Sequence, residues 1–97
     1  MMTLVGSWTS AKGTRVIAYH EFGDEPLRMQ IDAFMAPEAG GATLHGDSVE
    51  WSGRDLLWVS HGETYASLHD VLGRTASRLE AMYDDARATE DHDTPGV

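Results

Sequence analysis

The sequence contains no cysteine, which excludes disulfides, cysteine-based metal sites and thiol catalysis. That absence leaves the compartment open, with the cytoplasm as the default expectation. There is no basic-then-apolar signal pattern, and no apolar run approaches the roughly 20 residues of a membrane span, so neither is expected. Basic residues are scarce. Seven Lys and Arg stand against 16 Asp and Glu, giving a formal charge of −9 at pH 7. Such a balance repels nucleic-acid phosphates and anionic lipid, so neither nucleic acid nor a membrane is an expected partner. Solubility alone accounts for it, and it also suits a basic protein partner. Phosphate loops are missing too: Gly40-Gly41 is a turn without the downstream lysine or helix of a P-loop.

What is present fits one domain. The 97 residues fall within the usual domain range, and the 41% apolar content supplies one compact core but not two. Residues 1–89 read as a single α+β domain. Residues 90–97 are acidic and turn-forming, and are expected to be a disordered tail.

The dominant pattern lies between Glu63 and Ala88. Tyr65, Leu68, Leu72, Thr75, Leu79, Met82 and Ala86 recur at three- and four-residue spacing, with Val71, Ala76 and Tyr83 beside them. The spacing predicts one apolar side of a long helix over about residues 64–88, with Arg74, Arg78, Glu80, Asp84 and Arg87 turned mostly away. Thr64 is the expected N-cap, and Ser67 with Asp70 offers a later start. Gly73 costs about 1 kcal/mol within a helix, and would suit a close approach to a sheet.

A one-sided helix needs a sheet to lie on. The chain before it predicts an antiparallel sheet of about four to five strands over residues 3–61. Thr3 to Trp8 is a short strand closed by the turn Ser10-Ala11-Lys12-Gly13. Thr14 to Phe22 is rich in β-branched and aromatic residues. Gly23-Asp24-Glu25-Pro26 is a turn. Leu27 to Met35 fits both periods, and its longer match to alternation favours a strand. Ala42 to His45 and Ser48 to Trp51 flank Gly46-Asp47 as one bulged strand or two. Leu56 to His61 is a strand, and Gly62 releases the backbone into the helix.

Catalytic patterns are thin. His20, His45, His61, His69 and His92 show no His-x-His or His-x-x-x-His spacing, so neither metal nor cofactor is expected. Ser60, His61 and Glu63 are too close in sequence to aim into one hydrogen-bonded line. Asp84-Asp85 reads as a solvated helix face.

The aromatic residues carry more. If the helix covers one side of the sheet, alternation leaves Ile17, Tyr19, Phe34, Leu56 and Trp58 as a second apolar set. No second helix is available to cover it. Such a patch marks an association surface, for a protein partner or a second copy as a homodimer. Alternatively, strand curvature or the segment carrying Trp8 folds over it.

The segment His61-Gly62-Glu63-Thr64-Tyr65-Ala66-Ser67-Leu68 resembles the Gly-Asp/Glu-Thr strand-to-helix junction of HicB-type antitoxin domains. The resemblance implies a β-rich sheet crossed by a helix, and an acidic antitoxin that neutralises a small basic RNA-cleaving toxin. It covers about a quarter of the chain. Leu57-Trp58-Val59-Ser60 replaces the family's Pro-Gly-Cys-like segment, and no DNA-binding segment follows the helix. The sequence therefore predicts a small acidic, non-enzymatic protein-binding module. The rival is a small ligand-binding or enzymatic domain using His45 and His61 in a cleft between sheet and helix.

Overall fold

The computed structural model describes residues 2–21, 28–53 and 55–93, with side chains for 3–20, 28–53 and 55–84. Among the described residues six strands precede one helix: β1 (Met2–Thr9), β2 (Arg15–Glu21), β3 (Arg28–Phe34), β4 (Thr43–Ser52), β5 (Leu57–Ser60), β6 (Glu63–Tyr65) and α1 (Leu68–Asp93). A single 3-10 turn, Pro37–Ala39, separates β3 from β4. The strands form one antiparallel sheet in chain order, β1 to β6. The architecture is α+β, as expected, with one strand more than the sequence suggested.

The additional strand has a local cause. His61 and Gly62 both take positive φ, 53° and 74°, as a two-residue hairpin turn between right-twisted strands requires. Ser60 therefore pairs with Glu63, and Trp58 with Tyr65. Gly62 makes a hairpin rather than releasing the chain into a helix. The helix begins after it, with Ser67 as its cap: the Ser67 Oγ accepts from the Asp70 N–H at 3.2 Å. It also runs beyond Ala88 to Asp93. Nothing between Ala86 and Asp93 breaks a helix, and Pro95 is the first residue that would. The expected tail thus gives its first four residues, Glu90 to Asp93, to the helix, and residues 94–97 lie outside the described residues. So do Phe22, the expected turn at Gly23 to Pro26, and Leu27.

The ambiguous segment is β3, burying Met29, Ile31, Ala33 and, just past its end, Met35 on one side. β4 is one bulged strand. Its register slips between Ile31 and Ala33 of β3, opposite Leu44 and Asp47, where Gly46 takes φ 78°.

Register decides which residues share a side, because directly paired residues point the same way. Trp8, Val16, Ala33 and Leu44 form one row, and Ala18, Ile31 and Asp47 the next. Met29 lies opposite Val49, and Trp51, Trp58 and Tyr65 make a further row. The helix lies on this side with Val71, Leu72, Thr75, Ala76 and Leu79 buried, while Met82, expected in the stripe, is 52% exposed. Small residues permit the approach. A Cβ on Gly6 would lie 3.3 Å from Leu68 Cδ2, and one on Gly73 would lie 3.7 Å from Trp8 Cζ2. The tryptophan of β1 thus packs on the helix and does not fold over the other side. Further along, the Tyr83 ring sits against Gly40, where a Cβ would come within 2.4 Å of it.

Candidate functional site

The side of the sheet away from the helix gathers three of the five residues singled out for partner binding. Ile17 and Tyr19 follow one another along β2, and Phe34 lies diagonally across β3, two residues on from Asp32, which faces Ile17. Leu4, 60% exposed, pairs with Tyr19 and extends the set to β1. Polar groups hold the patch in place. Tyr19 donates its hydroxyl to Gln30 Oε1 at 3.2 Å. Phe34 meets the edge of the His45 ring at 5.4 Å. Asp32 accepts from the Gly46 N–H at 2.9 Å and has His45 Nδ1 3.6 Å away.

Leu56 and Trp58 do not join them. Leu56 sits in the β4–β5 connection at φ 56°, 67% exposed, with its N–H donated to the Ser52 carbonyl at 2.9 Å. Trp58 faces the helix side, 4.8 Å from Trp51 between ring centroids and packed against the core. The correction follows from the pairing of β5 with β4. With Leu56 in the turn, Trp58 pairs with Trp51, which shares a side with the buried Val49 two residues earlier. Leu57 and Val59 therefore point to the open side. Treating Val49 as a core residue would have carried the assignment through Trp51 to Trp58 from sequence alone.

Sequence reasoning missed a polar junction between sheet and helix. Asp47 is 10% exposed at its side chain; its Oδ1 lies 2.5 Å from His61 Nε2, and its Oδ2 accepts from Arg78 Nη2. Arg78 had been placed on the solvent side of the helix, but it is turned inward, and burial pushes its guanidinium below the ordinary range. The two histidines of the enzymatic alternative are not brought together. His45 is held by Asp32 on the open side, while His61 sits in the hairpin turn against Asp47, whose register position faces the helix. The Ser60 hydroxyl is donated to the Ser48 carbonyl at 2.8 Å rather than to His61. Among the described residues no three His, Asp or Glu side chains converge to hold a metal ion.

One shallow cleft of about 550 Å³ lies beside the first turns of the helix, between Trp8 of β1 and Tyr65 of β6, lined also by His69, Gly73 and Arg74. Neither His45 nor His61 lines it. Tyr65 donates its hydroxyl to Glu63 Oε2 at 2.6 Å, and Arg74 Nε is 3.7 Å from the same oxygen. Burial, then the hydrogen bond and charge of Glu63, raise the Tyr65 phenol above its ordinary pKa against the opposing effect of Arg74. Among the described residues no helix is long and apolar enough to cross a membrane.

No protein-family model matches this chain, and neither a curated protein nor a solved structure matches it. The HicB-type resemblance therefore rests on the residues from His61 to Leu68 alone. Those residues form a hairpin turn, a three-residue strand and the helix start rather than a direct strand-to-helix junction.

Proposed function

We propose that this chain is a non-enzymatic protein-binding module that docks a partner through the open side of its sheet. The observation that carries this reading is the one-sided cover: α1 buries one side of β2 and β3, while Ile17 and Phe34 on the other remain only half-buried, beside the exposed Leu4. Aromatic residues are enriched in protein interfaces, and among the few residues that carry most of the binding free energy. The partner that fits is a protein with an apolar patch and a basic rim, since the chain carries a formal charge of −9. A small basic toxin, as the HicB-type resemblance implies, belongs to that chemical class.

The test replaces Phe34 and Ile17 by aspartate, separately, and measures binding to proteins recovered with the wild-type chain from its native host. Loss of the same bound protein in both variants, with association slowing as salt rises, supports the reading. Retention of that protein by both variants, with the fold intact, overturns it.

A further inference from the structure

We infer that β1 is an open pairing edge that joins β1 of a second copy, antiparallel, to give one continuous sheet across two chains. The sheet order leaves two edges, β1 and β6. They differ sharply. β6 is three residues long and carries Glu63, which is tied to Tyr65 and Arg74. A short charged edge of this kind discourages pairing. β1 has eight residues, Met-Thr-Leu-Val-Gly-Ser-Trp-Thr, with no charge and no proline. It is about 26 Å long at the usual rise of a strand. Among the described residues no strand lies on its outer side, and an unpaired row of N–H and C=O groups is a template for another chain.

The occupant follows from charge and symmetry. Two copies at −9 repel as wholes, so a stable contact between them needs a stretch where no like charges meet. β1 is such a stretch, whereas pairing β1 with β6 would bring in Glu63 and would also leave a free edge at each end to grow into a fibre. An antiparallel strand paired with itself closes at two copies about a twofold axis. Leu4 and Val5, exposed by 60% and 47%, lie near the middle of the strand at its register shift against β2, so that a mate strand would run beside both. This pairing runs through the main chain of β1 and does not cover Ile17 or Phe34, although Leu4 is a side chain shared with the patch proposed above. It would set two open faces side by side on one sheet.

The lack of cysteine gives a clean test. Single variants Leu4→Cys and Val5→Cys, with Phe34→Cys as the open-face comparison, are oxidised and read by non-reducing electrophoresis. Sedimentation of the wild type and Leu4→Lys accompanies them, over a roughly thousandfold range of concentration. The expected result is a reversible wild-type dimer, rapid cross-linking of at least one β1 variant ahead of Phe34→Cys, and dimerisation weakened roughly tenfold or more by Leu4→Lys. Leu4 is exposed, so an unchanged melting temperature of Leu4→Lys at low concentration excludes simple unfolding. A wild type that stays monomeric throughout overturns the inference. So does a dimer that cross-links first through Phe34→Cys, whatever the effect of Leu4→Lys, which would place self-association on the open face.

Discussion

The two sides of this sheet differ both in their residues and in their surroundings. β3 contributes to both: Met29, Ile31 and Ala33 are at most 1% exposed beneath the helix, while Gln30, Asp32 and Phe34 alternate with them on the open side, half-buried. On the covered side polar groups are each matched to a partner. Thr14 donates to Glu80 Oε1 at 3.2 Å, Thr75 to the Val71 carbonyl at 3.0 Å, and Asp47 holds Arg78. On the open side the ion pairs are longer: Arg28 and Glu50 are 3.7 Å apart and both well exposed. Pairs of that kind contribute little stability. Stability is therefore concentrated on one side, which leaves the other free to be altered without unfolding the chain.

The sharpest way to break this comparison is Leu72→Ala. Leu72 is fully buried, and emptying such a site costs about 2–5 kcal/mol, against less than about 1 kcal/mol for Ile17→Ala on the open side. Urea unfolding of both variants checks it, and equal midpoints would dissolve the distinction. Trp58→Ala comes next. Half-buried against the core beside Trp51, it should cost about 2 kcal/mol of fold stability, below the full range for a buried aromatic residue. A melting temperature unchanged from wild type would return Trp58 to the open surface. The smallest effect has the opposite sign. Gly73→Ala places a Cβ at 3.7 Å from the Trp8 ring, an ordinary contact distance, so removing glycine from the helix should add about 0.5–1 kcal/mol. A loss of stability would show that the helix sits closer to β1 than that distance allows.

Much of this fold was legible because its signals are local. The 3.6 period from Leu68 to Leu79, the alternation of β2 and β3, and the glycine turns are written in adjacent residues. The errors arose where the side of a strand is set by its partner rather than by its own residues. Trp58 pairs with Trp51, two residues on from the buried Val49, so Leu57 and Val59 take the open side in its place. The turn at His61 and Gly62 hid a three-residue strand too short to show a period of its own. Asp47 and Arg78 were invisible for a different reason: they are 31 residues apart, and only the bulge at Gly46 and the register of β4 bring them together. Ile17, Tyr19 and Phe34 fall on one side of the sheet, as alternation predicts, because they lie on neighbouring strands with uninterrupted pairing.

That one helix covers the whole apolar side also governs how the chain emerges during synthesis. Every strand leaves the ribosome before any residue of α1 does, so Val16, Met29, Ile31 and Val49 are all made before Leu72 and Leu79 exist. At typical synthesis rates of about 5–20 residues per second, the nascent sheet waits on the order of a second for its cover. During that interval the side carrying those residues is uncovered and β1 is an open edge. The nascent chain, rather than the finished protein, is therefore where this fold has most need of a chaperone.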